Sequence, residues 1–182
     1  MIEKVFSIDI KAGAQRVWDE ITRSGSPHHA MFGTYLHGPI APGAVLSYRN
    51  KRGTHTFVLG EVLEVDAPRR LVHTFRFSME QDAPTLVEWR LTEQGGVTRV
   101  TITHSRFEGE TRTLKSVTTS WPAILALYKA VIETGRAPAG ARFKNALMMS
   151  MSFMLPKSAR TEVALAASTA VPGVERAGQS VR

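Results

Sequence analysis

The segment LKSVTTSWPAILALYKAVIETG, residues 114–135, carries the longest apolar pattern in the chain. Its apolar residues recur every three or four positions, which places them on one face of a helix of about five or six turns. They are Leu114, Val117, Trp121, Ile124, Leu125, Tyr128, Val131 and Ile132. Gly135 stands where helices commonly end, and Pro122 predicts either a kink or the start of a second helix. The segment therefore predicts a long amphipathic helix that covers another layer.

The residues before this helix show the two-residue period of strands instead. Apolar and polar residues mostly alternate from Ile2 to Lys11, and again in several runs after Gly33 that are separated by turn residues such as Pro42-Gly43 and Gly95-Gly96. The clearest runs are Val45 to Arg49, Thr54 to Val65, Leu71 to Ser78, Thr85 to Thr92 and Thr98 to His104. We predict an antiparallel sheet of about six or seven strands, with one face buried under the long helix.

Two short helices are predicted after the first strand. Ala14 to Ile21 has a helical apolar face, and Ser26 followed by Pro27 is typical of a helix start, with Gly33 as the stop. The order of strand, two short helices, further strands and long terminal helix predicts the α+β class.

The composition changes after Gly135, so we expect one domain over residues 1–135 and a basic tail over residues 136–182. A Met-rich helix is predicted at about residues 142–155, and Ala166 to Arg182 is small and polar, which predicts disorder. The Met-rich helix could serve as a lid, a dimer contact or an anionic-membrane contact. Packing against its own domain is the favoured interpretation, and membrane contact the less favoured one.

Charge and composition exclude several classes of protein. The formal net charge is +7, but residues 1–135 hold 16 Lys and Arg against 14 Asp and Glu, while residues 136–182 hold 7 against 2. The predicted domain has no basic face interleaved with aromatics, so nucleic-acid binding is not expected. The chain has no cysteine, which excludes disulfides and thiolate metal sites. No signal-peptide pattern or membrane-spanning stretch is visible, which favours a cytoplasmic protein.

No motif for metal, cofactor or nucleophilic chemistry is visible. The six histidines include the adjacent pair His28-His29, and the others lie on separate elements without carboxylates at ligand-like spacing. We therefore expect surface or strand-end positions for them, with His104 ending a strand. A serine in a nucleophile elbow and a phosphate-binding glycine loop are also missing. Catalysis by scattered cavity groups such as His73, Glu88, Arg90 or Tyr128 stays open.

Residues 1–135 resemble a known family, the branch of the START and birch-pollen-allergen (SRPBCC) superfamily named for the activator of the heat-shock chaperone ATPase. The matching pieces are Val17-Trp18, residues 60–71 (GEVLEVDAPRRL), residues 87–91 (VEWRL), residues 98–105 (TRVTITHS) and residues 121–135. The resemblance implies a helix-grip fold, in which a curved antiparallel sheet wraps round the long helix and leaves an elongated cavity. Asp66-Ala67-Pro68 departs slightly from the usual turn of the family.

This resemblance implies three kinds of function. Most members of the superfamily bind hydrophobic or amphipathic small molecules, a minority are cyclases or hydrolase-like enzymes, and the namesake stimulates a chaperone. We favour an apolar small-molecule ligand, with a chaperone or homodimer contact as the alternative and an enzyme third. No cofactor or metal is expected. The candidate ligand-binding residues are Met31, Phe32, Tyr48, Phe57, Phe75, Trp89, Trp121, Leu125 and Tyr128.

Overall fold

The computed structural model describes residues 1–169. The strands are β1 Ile2–Ile10, β2 Pro27–His28, β3 Thr34–His37, β4 Val45–Arg49, β5 Thr56–Asp66, β6 Arg70–Phe77, β7 Thr85–Gln94 and β8 Val97–Phe107. The helices are α1 Ala14–Ile21, α2 Arg112–Thr134, α3 Ala139–Ser150 and α4 Thr161–Thr169, with 3-10 turns at Ser152–Met154 and Lys157–Ala159. None of the helices in residues 1–169 is long and apolar enough to cross a bilayer.

The strands form one antiparallel sheet in the order β1-β8-β7-β6-β5-β4-β3-β2. The long helix α2 lies across this sheet, so the predicted α+β helix-grip fold is confirmed. The sheet has eight strands rather than six or seven, because the short strands β2 and β3 extend one edge beyond β4. Both are too short to show an alternating sequence pattern.

Strands β5 and β6 approach each other closely at Gly60. A side chain on Gly60 would place its Cβ 1.7 Å from the carbonyl oxygen of Thr74, so only glycine fits there. The pairing of β5 with β6 also shifts by one residue between Val62 and Glu64. Such a bulge increases the local twist, which helps the sheet to curve round the helix.

The predicted long helix is confirmed as a single element. At its start, the amide of Leu114 donates a hydrogen bond of 3.1 Å to the hydroxyl of Thr111. At its end, Gly135 adopts a left-handed conformation (φ 77°) and its amide donates to the carbonyl of Val131. Pro122 lies inside the helix, which continues through it without a second start.

The core lies between α2 and the sheet. Trp89 of β7 is 3% exposed, and its ring meets that of Trp121 edge to face at 5.5 Å and that of Tyr128 at 5.9 Å. Both partners are on α2, so the apolar face of β7 points toward the helix. The inward phase of this strand, predicted from its alternation, is confirmed.

The second short helix predicted after the first strand is wrong. Pro27 and His28 form strand β2, and the chain then turns back on itself to β3. Phe32 (φ 59°) and Gly33 (φ 77°) both take left-handed conformations, and the amide of Gly33 donates to the carbonyl of His28. Two consecutive left-handed residues end any helix, which overrides the Ser26-Pro27 start signal.

The chain beyond Gly135 returns to the sheet. Helix α3 and the following 3-10 turn occupy most of the segment predicted as a Met-rich helix. The amide of Thr161 then donates to the carbonyl of Thr54 at 3.0 Å, and its hydroxyl donates to Gly53 at 2.7 Å. The segment predicted to be disordered begins inside α4, and its residues 170–182 lie outside those described. The division at residue 135 stays a prediction.

Replacing Trp89 with alanine should lower the free energy of unfolding by about 3 to 5 kcal/mol, because the change removes a buried indole and leaves a cavity. Urea unfolding monitored by circular dichroism measures the loss. Arg90→Ala on the exposed face of the same strand is the control, with an expected change under about 0.5 kcal/mol. A loss under about 1 kcal/mol for Trp89→Ala would contradict the described packing.

Candidate functional site

A cavity of about 210 Å³ opens between the sheet and the first half of α2. Its walls are almost entirely apolar. Strands β3 to β6 form one side, helix α2 forms the other, and the β2–β3 turn, Met79 and α3 surround the mouth. The lining residues are Met31, Phe32, Thr34, Tyr48, Phe57, Val58, Phe75, Phe77, Met79, Val117, Ser120, Trp121, Ile124 and Met148.

The turn between β2 and β3 brings two apolar side chains to this cavity. Met31 is buried, whereas Phe32 is half-buried in a left-handed conformation that costs a residue with a side chain about 1 to 2 kcal/mol. The next residue, Gly33, packs closely against Asn145. A Cβ atom added to Gly33 would lie 3.3 Å from the Cβ of Asn145. The strained turn therefore both lines the cavity and seats α3 beside it.

Among the described residues that line the wall, three carry a hydroxyl group. Thr34 is buried, and its hydroxyl donates to the carbonyl of Met31 at 2.6 Å. The hydroxyls of Tyr48 and Ser120 make no hydrogen bond to any other residue within 1–169. Burial raises the pKa of Tyr48, so its hydroxyl stays protonated and can donate. Within residues 1–169, the hydroxyl of Tyr48 is thus a protonated donor without a protein acceptor.

A buried histidine fixes the orientation of Trp121. The indole Nε1 of Trp121 donates to Nδ1 of His104 at 3.0 Å, which leaves the histidine proton on Nε2. Nε2 then donates to the hydroxyl of Thr85 at 2.7 Å, and that hydroxyl donates to the carbonyl of Phe75 at 3.0 Å. Every polar atom in this relay has a partner, so the cavity wall at Trp121 is held in place.

A second buried histidine holds Trp89 behind the cavity. The indole Nε1 of Trp89 donates to Nε2 of His73 at 3.3 Å, and Nδ1 of His73 donates to the carbonyl of Thr74 at 2.7 Å. His73 therefore carries its proton on Nδ1, whereas His104 carries its proton on Nε2. In each case the nitrogen that accepts the hydrogen bond from the tryptophan indole must be unprotonated, so the proton lies on the other ring nitrogen.

The third buried histidine connects the β2 edge to α2. Nε2 of His28 donates to the carbonyl of Arg23, and its Nδ1 accepts a hydrogen bond of 3.4 Å from the hydroxyl of Tyr128. Its ring also meets that of Tyr48 edge to face at 5.9 Å. The histidine thus links the turn beside the cavity to the long helix.

All three histidines are kept neutral by burial. Burial lowers the pKa of His28 and of His73 from 6.5 to about 4. The pKa of His104 falls to about 3, chiefly from burial and further from the neighbouring His73. The expectation that the histidines lie on the surface or at strand ends is wrong for these three. The alternation of Val100, Ile102 and His104 already placed His104 in the inward phase, and that signal was missed.

The structure brings six of the nine predicted ligand-binding residues to the cavity wall. They are Met31, Phe32, Tyr48, Phe57, Phe75 and Trp121. Trp89, Leu125 and Tyr128 are buried in the core away from the lining, because the second half of α2 packs directly on the sheet. Ligand binding by any of the nine stays a prediction.

Several lining residues were not predicted from the sequence. Val117 and Ile124 belong to the helix stripe but were not distinguishable from ordinary core positions. Ser120 gave no apolar signal, although it lies one residue from Trp121 on the same helix. Met148 comes from α3, and no pattern in the sequence shows which domain surface that helix covers. Residues 1–169 contain no group of three or more His, Asp or Glu that could hold a metal ion.

The sequence matches the model of one protein family. The match is to activator of Hsp90 ATPase homolog 1-like protein, over residues 2–133. No curated protein sequence matches the chain significantly.

Solved structures show the same fold. The Aha1 dimer from Colwellia psychrerythraea is 19% identical, covers 75% of this chain and 100% of its own, and superposes with a TM-score of 0.63. CalU16 from Micromonospora echinospora is 19% identical over 84% of this chain and 87% of its own, with a TM-score of 0.59. PFC0360w, an HSP90 activator from Plasmodium falciparum, is 15% identical over 76% and 99%, with a TM-score of 0.59. At these identities the likeness concerns the fold alone.

The buried histidines predict that the protein loses stability in mild acid. In the unfolded chain they protonate near pH 6.5, whereas in the folded chain they stay neutral to about pH 4. Stability is therefore fully present above pH 6.5 and is lost as the pH falls toward 4, by up to about 1.4 kcal/mol per pH unit for each histidine.

Urea unfolding between about pH 6 and pH 4 tests this dependence. The variant His104→Gln should reduce the slope by up to about 1.4 kcal/mol per pH unit, whatever its effect at neutral pH. Ser116→Gln, at an exposed position, changes no titratable group and should leave the slope unchanged. An unchanged slope in His104→Gln would show that this histidine is not held neutral.

Proposed function

Because this chain belongs to the family of activator of Hsp90 ATPase homolog 1-like proteins, within the SRPBCC superfamily, we propose that it binds a small apolar molecule in the cavity between the sheet and α2. The observation that carries the proposal is the cavity itself, since an apolar space of about 210 Å³ remains between the sheet and α2. Protein interiors are close-packed, and a void of this size loses contacts that a guest molecule would restore.

The size of the cavity limits the ligand. An apolar cavity of about 150 Å³ in another protein stays dry and binds benzene or xenon, so this larger one suits a guest of one or two rings or a short alkyl chain. Drug-sized ligands generally need at least about 300 Å³, which would require the mouth to widen. The surrounding side chains include Phe32, Met79 and Met148, and methionine adapts its shape easily.

The expected affinity follows from the area that a guest buries. About 200 Å² of apolar ligand surface at about 25 cal/mol per Å² contributes about 5 kcal/mol, before the cost of association is subtracted. This corresponds to dissociation constants of about 0.2 mM or weaker. Hydrogen bonding to Tyr48 would strengthen a ligand that carries an acceptor.

The character of the wall favours binding over catalysis. Its polar residues are the hydroxyl residues Thr34, Tyr48 and Ser120, and no histidine, carboxylate, lysine or arginine stands among the lining residues described. The chaperone-binding alternative receives support from the family match and from the two solved relatives described as Aha1 and as an HSP90 activator. It becomes the leading proposal if the cavity takes no ligand.

Filling the cavity from α2 should abolish binding of a two-ring probe. Ser120→Phe places a ring into the cavity. We expect the affinity of this variant for 1-fluoronaphthalene, measured by ¹⁹F NMR titration, to be at least tenfold lower than that of the wild type. Ser116→Phe makes the same substitution one turn earlier at an exposed position and is the matched control. Thermal unfolding checks that both variants remain folded.

Two outcomes would contradict the proposed function. One is equal affinity of the wild type and Ser120→Phe for the probe, which would place any binding elsewhere. The other is the lack of saturable binding by the wild type across a panel of one-ring and two-ring hydrocarbons. Native mass spectrometry of the protein as expressed, followed by denaturing extraction, identifies any molecule that it retains.

The hydroxyl of Tyr48 should discriminate between ligands that do and do not accept a hydrogen bond. Tyr48→Phe should weaken binding of 1-naphthaldehyde about fivefold, because one hydrogen bond contributes about 1 kcal/mol. The affinity of the Tyr48→Phe variant for 1-fluoronaphthalene, which lacks a carbonyl acceptor, should stay within about twofold of the wild-type value. Equal losses for both probes would mean that Tyr48 shapes the cavity without acting as an anchor.

A further inference from the structure

Helix α3 buries a polar residue against the domain and exposes large apolar residues on its outer side. The polar residue Asn145 is 5% exposed and donates from its side-chain nitrogen to the carbonyl of His29 at 2.8 Å. Phe143 is 74% exposed, Leu147 54% and Met151 47%. These three follow one another at intervals of four residues, so they form one ridge on the side of the helix opposite Asn145. We call Phe143, Leu147 and Met151 the outer ridge.

The exposed apolar surface continues past the helix. Phe153 and Met154, in the 3-10 turn that follows, are 76% and 66% exposed. Five exposed apolar residues of this size within residues 143–154 are unusual for a surface that faces only water. The segment is held to the domain by Asn145 at one point and by Thr161 at another, so its exposure is a property of the folded protein.

The charged residues of this segment, from Arg136 to Arg160, are all of one sign. Between Glu133 and Glu162 the chain carries no carboxylate and five cationic side chains, Arg136, Arg142, Lys144, Lys157 and Arg160. All five are exposed. Lys144 lies within the ridge segment, and Lys157 follows it directly. The surface therefore combines large apolar side chains with a local excess of positive charge.

We propose that the outer ridge docks on an anionic lipid bilayer. An interfacial helix buries its apolar side chains at the boundary of the acyl chains while its lysines and arginines contact acidic headgroups, and this segment provides both. A second copy of the chain fits less well, because a symmetric contact through the ridge would bring two sets of these cations together.

This proposal is independent of the proposed ligand. It has a geometric link to the cavity, since Met148 of the same helix lines the cavity beside the mouth. A helix that docks on lipid through Phe143 and Leu147 brings that mouth close to the headgroups. Docking can nevertheless succeed or fail whatever the cavity holds.

Vesicle flotation with the full chain tests the docking. We expect the wild type to float with vesicles of phosphatidylcholine containing about one third phosphatidylglycerol, and to remain unbound with phosphatidylcholine alone. Raising the salt concentration should weaken the binding, since the attraction is partly electrostatic. Phe143→Glu should lower the partition coefficient at least tenfold, because the variant loses an inserting ring and gains a repelled charge.

Matched variants separate the ridge from general effects of charge. Val5→Glu, at an apolar residue 59% exposed on β1, makes the same change in net charge away from α3 and should leave binding within about twofold. Lys144→Gln should weaken binding about fivefold, whereas Lys51→Gln in the β4–β5 hairpin should have little effect. All four sites are exposed, so the variants should fold, and thermal unfolding verifies this.

Three results would overturn the proposal. The first is no flotation of the wild type with anionic vesicles. The second is an equal loss in Phe143→Glu and Val5→Glu, which would indicate attraction to the whole protein rather than to the ridge. The third is a stable dimer in sedimentation analysis that Phe143→Glu dissociates, which would assign the ridge to a second copy. Failure here leaves the hydrocarbon titration of the cavity unaffected, so the two proposals are judged separately.

Discussion

The edge-to-face contact between Trp89 and Trp121 joins the sheet to the long helix and sets how closely they approach. On one side of this contact, Tyr128 and the second half of α2 pack directly on the strands. On the other side the sheet curves away, and the helix cannot follow it. The remaining gap is the cavity. The long helix against a curved sheet therefore leaves a dense core on one side of the tryptophan pair and a cavity on the other.

The polar groups behind the cavity explain why the tryptophans keep their positions. An indole N–H buried without a partner is costly, and each of the two is satisfied by a histidine that is itself fully hydrogen-bonded. Neutral imidazole can accept from one neighbour and donate to another, which no aliphatic residue could do. The histidines thus permit large indoles in the core and give the cavity a wall that is apolar in chemistry yet fixed in geometry.

The sequence predicted those parts of the fold that repeat. The stripe on α2 and the alternation along β7 each span several periods, so their phase could be read and their inward faces assigned. The turn at Phe32 and Gly33 depends on two backbone conformations, and its sequence also suits a short helix, so local reasoning chose wrongly. The histidines were misplaced because their polarity was weighed above their phase. Where α3 rests depends on Asn145 meeting a distant carbonyl, which has no local signature.

The segment between Gly135 and Thr161 is attached to the domain at both ends, and this affects the rate at which α3 can return to its place. Gly135 fixes one end of the segment at the close of α2, and Thr161 fixes the other to the β4–β5 hairpin. Any displacement of α3 from the mouth would leave it tethered at both ends, so its effective concentration at its own seat would stay high. Closing is then a unimolecular event whose rate is independent of protein concentration. Local opening of residues 136–160 alone would cost far less than unfolding the domain.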